Sequence, residues 1–173
     1  MEENINVNST DAEETTAQNQ LTPDEMADFI AKAKLEQRLP LGIIAGAAAA
    51  LLMAVVWAAI TVATKYQIGY MAIAVGLVVG FAVRFAGKGI DMIFGISGAV
   101  FALLGCFIGN FLSQVGFTAN AFEITYFEAF KILSEPSVFV EVMKEAFHPM
   151  DVLFYGFAIY EGYRFSFRNL EMK

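Results

Sequence analysis

The amino-acid sequence predicts an all-helical integral membrane protein: a helical bundle of three transmembrane helices and a less apolar fourth, with short interfacial amphipathic helices. Hydrophobic residues make up 57% of the 173 residues, which is more than a soluble domain of this size contains. Three long stretches carry no charged side chain. Each stretch also has two glycines spaced four residues apart, which is typical of helices that pack closely in lipid.

The N-terminal segment, residues 1–21, is predicted to be a disordered acidic tail. Residues 1–40 contain nine acidic and three basic side chains, whereas residues 41–173 contain nine and eight, so the net negative charge is concentrated at the N-terminus. Residues 1–20 have no aromatic residue and few apolar ones, and cannot bury enough surface to offset the entropy of ordering. Because the chain has no cluster of basic residues that would neutralise phosphates, no nucleic-acid partner is expected.

A cytoplasmic amphipathic helix is predicted over residues 22–39, because Thr22–Glu25 has the pattern of a capping box with proline at the first helical position. Its apolar side chains lie mainly on one face, and Lys32, Lys34 and Arg38 are placed to meet lipid headgroups. Two interpretations stay open. The helix binds a partner or the membrane surface, or it is a solvated segment that leads into the first span.

Four segments of the predicted transmembrane domain, residues 40–168, are expected to cross the membrane, and a span needs about 20 apolar residues. The charge-free stretches are Leu39–Thr64 with 26 residues, Tyr66–Val83 with 18 and Met92–Phe122 with 31. The last segment is the weakest span, since nine residues separate Asp151 from Glu161. The predicted spans are residues 41–64, 67–84, 92–113 and 149–166.

Residues 117–147 are predicted to lie on the outer side of the membrane. They mix aromatic residues with Glu and Lys at intervals too short for a span, so two short amphipathic helices at the membrane surface are expected. Lys and Arg are retained on the cytoplasmic side. With four spans, eight basic residues lie on the side of the N-terminus and three lie on the other side, which places both termini in the cytoplasm. If the last segment does not cross, five basic residues lie on the side of the N-terminus and six on the other, so the rule favours the fourth crossing.

The glycine pairs are predicted to form helix-packing faces. They are Gly42 and Gly46 in the first span, Gly76 and Gly80 in the second, and Gly105 and Gly109 in the third. In lipid, burying apolar surface between helices gains little, so a smooth face that admits another backbone favours packing. That backbone belongs either to the same chain or to a second copy. Gly69, beside Tyr66 and Tyr70, is expected to have a turn or interface role instead.

Few polar side chains lie within the predicted spans or at their ends. Asn110 is expected to hydrogen-bond across helices and fix their register. Glu161 and Arg164 are three apart on a helix and are expected to neutralise each other, with a proton relay at Glu161 as the alternative. His148 is expected to be a surface or capping residue, and the alternative is a metal held with acidic neighbours such as Asp151.

No catalytic residue, cofactor or metal site is predicted. The sequence lacks the HExxH and GxSxG motifs and has no serine, histidine and carboxylate set near the spans. A single cysteine, Cys106, excludes an internal disulfide, and with a single histidine the chain also lacks the usual ligand sets of structural zinc.

The stretches Tyr66–Gly89 and Asp151–Arg164 resemble a module of uncharacterised small multi-pass membrane proteins of bacteria. The resemblance covers about residues 40–168. It implies a membrane architecture of three to four spans and a location in the bacterial inner membrane. It implies no known activity.

The function expected first is non-enzymatic: a scaffold or accessory subunit of a membrane complex that packs through glycine-rich helix faces. Its partners would be the lipid bilayer, further copies or other membrane subunits, and a cytoplasmic partner for the 22–39 helix. The alternative is a small oligomeric transporter or channel with Asn110, Thr61 and Glu161 along its path. The second alternative is a membrane enzyme, for which the available residues are His148, Asp151 and Glu161.

Overall fold

The computed structural model of the chain describes residues 22–67 and 69–168, and every regular element in these ranges is an α-helix. This confirms the all-helical class predicted from the sequence. The predicted acidic tail, residues 1–21, lies outside the described residues. The helices are α1 (Pro23–Leu35), α2 (Leu39–Thr64), α3 (Met71–Gly87), α4 (Met92–Phe122), α5 (Tyr126–Leu133), α6 (Pro136–Ala146) and α7 (Pro149–Phe165).

Helix α1 belongs to one compact unit and the chain from Glu36 onward to another. The predicted capping box is present at the start of α1. The backbone N–H of Thr22 donates to Glu25 Oε2 at 2.9 Å, and the N–H of Glu25 donates to Thr22 Oγ1 at 3.3 Å. These bonds hold the pKa of the Glu25 carboxyl below its ordinary value. The helix ends at Leu35, before the predicted end at residue 39, because Pro40 lies in the first turn of α2. An N–H at that position would have no partner within the helix, so the N–H that proline lacks is not missed there.

Helices α2 and α4 are long and apolar enough to cross a membrane. They contain 26 and 31 residues, or about 39 and 46 Å of helix, against a hydrocarbon thickness of about 30 Å. Helix α3 is apolar but has 17 residues, and α7, also of 17 residues, carries Asp151, Glu161 and Arg164. Of the four predicted spans, the two long helices therefore meet the criterion of length and composition.

Helix α4 runs nine residues beyond the predicted end of the third span at residue 113. Gly116, where the composition of the sequence changes, does not interrupt the helix, because its missing side chain makes room for Val62 of α2. The predicted outer segment 117–147 thus begins inside α4, which ends before Glu123. The rest of that segment forms α5 and α6, the two short helices expected from the sequence, and their location at a membrane surface stays a prediction.

Four helices form the bundle of the larger unit. Helices α3 and α4 contact each other, and each of them contacts both α2 and α7. Their shared core includes Trp57, Val75, Val79, Cys106 and Tyr155. Helices α5 and α6 pack beside the C-terminal part of α4, where the buried residues are Val115, Ala119, Ala129 and Leu133.

We name the two ends of the bundle by the lysine in the loop at each end. The Lys65 end contains the α2–α3 loop, the C-terminal part of α4, and the start of α7. The Lys88 end contains the α3–α4 loop, the starts of α2 and α4, and the end of α7. Helices α2 and α4 therefore run parallel, and α3 and α7 run in the opposite direction.

In three helices of the described bundle, the residue that follows the last turn is not a glycine. Their last turns are followed by left-handed residues with positive φ: Lys65 at 58°, Lys88 at 49° and Glu123 at 54°. Glycine is the residue most favoured at this position, because the Cβ of any other residue crowds the backbone there. The ends of α2, α3 and α4 are therefore slightly strained.

Replacing Glu123 by glycine is expected to raise the free energy of unfolding. The left-handed conformation costs a non-glycine residue about 1–2 kcal/mol, and the larger chain entropy of unfolded glycine offsets about 0.5–1 kcal/mol of that, so a net gain of about 0.5–1 kcal/mol remains. Thermal unfolding of the wild type and the variant in detergent measures this gain in stability. Glu123→Ala is the control, because it removes the same charge and keeps the Cβ; equal effects of the two substitutions would contradict the strain explanation.

Candidate functional site

The two glycines of α2 lie against α3 and α4 of the same chain. A Cβ added to Gly42 would lie 3.2 Å from the Cα of Gly87 in α3. One added to Gly46 would lie 2.7 Å from Val83 Cγ2 and 3.0 Å from the ring of Phe101. Real Cβ atoms essentially never lie within 3.0 Å of such neighbours, so a side chain at Gly46 would displace the side chain of Val83.

The two glycines of α3 lie against α7. A Cβ added to Gly76 would lie 2.6 Å from the carbonyl oxygen of Ala158 and 2.9 Å from its Cα. One added to Gly80 would lie 2.9 Å from Phe165 Cβ. The neighbours of Gly76 are backbone atoms that cannot swing aside, so α3 and α7 approach each other only without a side chain there. Gly69, for which a turn or interface role was expected, lies in the α2–α3 loop against a phenylalanine ring of α7.

The two glycines of α4 lie against α2 and α3. A Cβ added to Gly105 would lie 2.9 Å from Val75 Cγ1 of α3 and 3.3 Å from the carbonyl oxygen of Ala50 in α2. One added to Gly109 would lie 3.3 Å from the Cβ and ring of Trp57. All six glycines singled out in the sequence therefore meet groups of their own chain.

A further close contact, between α4 and α7, was missed in the sequence. A Cβ added to Gly162 would lie 2.7 Å from the carbonyl oxygen of Gly98 and 2.8 Å from Ala102 Cβ. The hydroxyl of Ser166 donates to the Gly162 carbonyl oxygen at 2.6 Å and is fully buried. The available signal was the spacing of Ala158 and Gly162, two small residues four apart in α7.

Asn110 of α4 is fully buried and contacts two other parts of the chain. Its Oδ1 accepts a hydrogen bond from Gln67 Nε2 at 3.3 Å, and its Nδ2 donates to the Tyr155 hydroxyl at 3.4 Å. The Tyr155 hydroxyl donates to the carbonyl oxygen of Cys106 at 3.5 Å. These bonds join α4 to α7 and to the α2–α3 loop, and all three are longer than the usual range of about 2.7–3.2 Å.

The expected pairing of Glu161 with Arg164 is wrong. Arg164 Nη1 donates to the hydroxyl of Tyr160 at 2.8 Å, and the guanidinium lies over the same ring. The two residues are four apart and share the outward face of α7, whereas Glu161 lies on a half-buried face. Within the described residues, the Oε2 atom of Glu161 is buried and has no hydrogen-bond partner.

His148 and Asp151 cap the start of α7. The backbone N–H of His148 donates to Asp151 Oδ2 at 2.8 Å, which uses the carboxylate as a helix cap. Among the described residues, no three His, Cys, Asp or Glu side chains are grouped so that they could hold a metal ion. Glu161 is ten residues further along the helix, or about 15 Å from Asp151. The three residues named for an enzyme are thus not brought together.

The Lys88 end is fastened by contacts between distant parts of the chain. Arg168 Nη1 lies 2.6 Å from Glu36 Oε2, and the Arg168 N–H donates to the carbonyl oxygen of Gly89 at 2.8 Å. Gln37 Nε2 donates to Asp91 Oδ2 at 2.8 Å. The neighbouring Arg168 guanidinium holds the pKa of the Glu36 carboxyl below its ordinary value. No sequence signal indicated these contacts, which join residues 54 to 132 positions apart.

An apolar groove of about 820 Å³ opens on the outside of the bundle between α2, α4 and α5. Its walls are Val55, Ala58, Ala59, Val62, Ala63, Leu112, Val115, Gly116, Asn120, Tyr126, Phe127 and Phe130. Almost all of these side chains are apolar, so the groove suits hydrocarbon and excludes charged ligands.

Comparisons of the chain with protein-family models, with curated proteins and with solved structures found no match. The resemblance of Tyr66–Gly89 and Asp151–Arg164 to bacterial multi-pass modules therefore stays an expectation. The features of the described residues that bear on function are close glycine packing, a buried polar link at Asn110 and a carboxylate oxygen of Glu161 without a hydrogen-bond partner.

Replacing Gly76 by alanine is expected to destabilise the bundle by about 1–3 kcal/mol, because the added methyl forces α3 away from the backbone of α7. Gly156→Ala is the matched control, since nothing lies within 4 Å of the added atom. Alanine is the better helix former, so the control should be neutral or slightly stabilising. Thermal unfolding in detergent distinguishes the two variants, and equal shifts would show that close packing at Gly76 is unimportant.

Replacing Arg168 by glutamine is expected to lower the unfolding temperature at neutral pH and to have no effect in acid. Because the folded pKa of Glu36 is depressed, its pairing stabilises fully above the ordinary value of 4.5 and is lost as the pH falls through the lower folded pKa. Unfolding temperatures measured across acid pH test this. Arg164→Gln, which loses a contact with a tyrosine, should show no such change with pH; a constant difference for Arg168→Gln would contradict the ion-pair explanation.

Proposed function

We propose that the chain is a non-enzymatic multi-pass membrane protein, a scaffold or accessory subunit of a membrane complex, in which α2, α3, α4 and α7 cross the bilayer. The observation that carries the proposal is the apolar outward surface of the two long helices. In the most apolar 18 residues of α2, 22% of the residues are buried, and in the most apolar 18 residues of α4, 39% are buried. The core helix of a soluble protein would be mostly buried instead.

The exposed side chains on these helices are large and apolar. Ile44 and Leu52 of α2 are 67% and 63% exposed, and Val100 of α4 is 50% exposed. In water, a contiguous apolar surface of this kind marks a site of contact with lipid or protein. A bilayer provides the surrounding that both helices require along most of their length.

Helices α3 and α7 are the second and fourth crossings of the proposed topology. Each has 17 residues, or about 26 Å, which a slightly thinned bilayer or snorkelling side chains accommodate. Arg84 and Arg164 lie in the last turns of these helices and can reach the interface with their long side chains. The close contacts of Gly76 and Gly162 join α7 to α3 and to the long helix α4, which supports a crossing in spite of its charges.

The orientation follows from the basic residues. With four crossings, eight of them share the Lys88 end and the two termini, and three lie at the opposite end. By the positive-inside rule the Lys88 end is cytoplasmic. The resemblance to bacterial multi-pass modules favours an inner-membrane location, and α1 would then be on the cytoplasmic side, where it can bind a partner.

A structural role is favoured because the glycine faces are occupied within the chain. A second copy or another subunit must therefore bind to outward surfaces, and the apolar groove between α2, α4 and α5 is a concave surface of this kind. The groups available to an enzyme are separated, with Asp151 engaged as a helix cap. The proposed scaffold thus uses its interior for folding and its lipid-facing surface for assembly.

A small oligomeric transporter is the second candidate, and the observation that favours it is Glu161. A carboxylate with a buried, unpaired oxygen inside a membrane bundle is costly and is typically used for ion or proton movement. Flux in proteoliposomes that falls for Glu161→Gln would support this candidate. A flux that is the same in Glu161→Gln and in the wild type would contradict the transporter candidate, and the scaffold role would remain.

Purification in mild detergent is expected to recover a defined homo-oligomer or a stable complex with another membrane subunit. Ala59→Trp, which fills the groove, should release the chain as a monomer. Ile44→Trp is the control, because it places the same side chain on an outward face outside the groove. Size-exclusion chromatography with light scattering measures the assembly. A wild-type protein that is strictly monomeric and free of partners would contradict the scaffold proposal.

A further inference from the structure

Two buried polar atoms of α2 have no hydrogen-bond partner within the described residues: Trp57 Nε1 and Thr61 Oγ1. The two residues are 1% and 0% exposed, so bulk water does not reach them. They are four residues apart and therefore lie one above the other on the same face of α2. Buried donors and acceptors are rarely left unpaired in proteins, because the lost hydrogen bonds to water are not replaced. This pair requires an explanation beyond the packing of helices.

The face that carries these two atoms lies against α4. The parallel register of the two helices is fixed by the contacts of Gly109 with Trp57 and of Gly116 with Val62. Thr61 therefore lies between these two levels, beside residues 110–115 of α4, a stretch of nearly two turns that begins with Asn110 at the level of Trp57 and contains Ser113 nearer to Thr61. The Ser113 hydroxyl is already engaged, because it donates to the carbonyl oxygen of Gly109 at 2.8 Å.

The Asn110 side chain retains unused hydrogen-bonding capacity. A carboxamide offers two N–H donors and an oxygen with two lone pairs. Asn110 makes one bond through Nδ2 to Tyr155 and one through Oδ1 from Gln67, so one donor and one acceptor position remain. This part of the interior thus contains an indole N–H, a hydroxyl and an amide that are not fully satisfied by the protein.

We propose that this part of the bundle is a water-binding site, in which ordered water bridges Thr61, Trp57 and Asn110 between α2 and α4. A buried water typically makes about three hydrogen bonds to groups that are otherwise unsatisfied, and these three side chains supply both donors and acceptors. An apolar ligand would leave all of them unpaired. Gln67 is exposed at the Lys65 end and bonds to Asn110, which connects the site to that end of the bundle. The site is independent of the scaffold role.

The test uses the intrinsic fluorescence of the protein, because Trp57 is its only tryptophan. The emission maximum and the ratio of fluorescence lifetimes in D₂O and H₂O are measured on the full chain in lipid nanodiscs. A hydrated indole emits at longer wavelength and has a longer lifetime in D₂O. Thr61→Val replaces the hydroxyl by a methyl of the same shape, and it is expected to shift the emission to shorter wavelength and to bring the lifetime ratio towards one.

Thr64→Val is the matched control, since the Thr64 hydroxyl is exposed and donates to the carbonyl oxygen of Ile60 at 2.8 Å. It should leave emission and lifetime ratio as in the wild type. Thermal unfolding adds a second readout. Removing a hydroxyl that binds water should lower the unfolding temperature, whereas removing an unpaired hydroxyl from a dry interior leaves it unchanged or raises it.

The proposal is overturned if the wild-type protein itself shows no difference between D₂O and H₂O, whatever the variants do. It is also overturned if Thr61→Val keeps the wild-type emission and lifetime ratio, or if it leaves the unfolding temperature unchanged or raises it. Should the valine variant fail to fold, Thr61→Ser keeps the hydroxyl and is expected to retain the wild-type signals. A blue-shifted Thr61→Ser protein with no isotope effect would contradict the proposed role of the hydroxyl.

Discussion

The bundle depends on close backbone contact between α7 and the helices α3 and α4. At Gly76 and at Gly162, an added methyl would meet backbone atoms of the neighbouring helix. In lipid, apolar burial does not drive helices together, so van der Waals contact through small residues has to stabilise the interface. Helix α7 is the most polar of the four, and these contacts attach it directly to α3 and α4 and, through them, to α2.

The remaining features are arranged around this packing. With glycines at the contacts, the interior between the helices accommodates large side chains such as Trp57 and Phe94 and a small set of polar groups around Asn110. At the Lys88 end, where the chain leaves the bundle, the packing is completed by the hydrogen bonds of Arg168 and Gln37. The outward apolar surfaces of α2 and α4 are free of these constraints.

Local patterns in the sequence were sufficient to predict the helical class, the capping box at Thr22 and both long apolar helices. Hydropathy is a property of a window, so it did not predict that α4 continues beyond residue 113 without a breaker. The contacts that join distant residues at the Lys88 end left no trace in the sequence, as in the pairing of Arg168 with Glu36. The predicted pairing of Arg164 with Glu161 was wrong because helical spacing alone does not show which side chain faces outward; Arg164 contacts Tyr160 instead.

The central claim, that α7 crosses the membrane as the fourth helix of one bundle, is tested most directly by the sidedness of its two ends. Single cysteines at Met150 and Lys173, in a chain with Cys106→Ala, are labelled in intact cells with a membrane-impermeant maleimide. We predict that the cysteine at position 150 reacts from outside and that the one at position 173 reacts after permeabilisation. Labelling of both positions from the same side would contradict the four-helix topology.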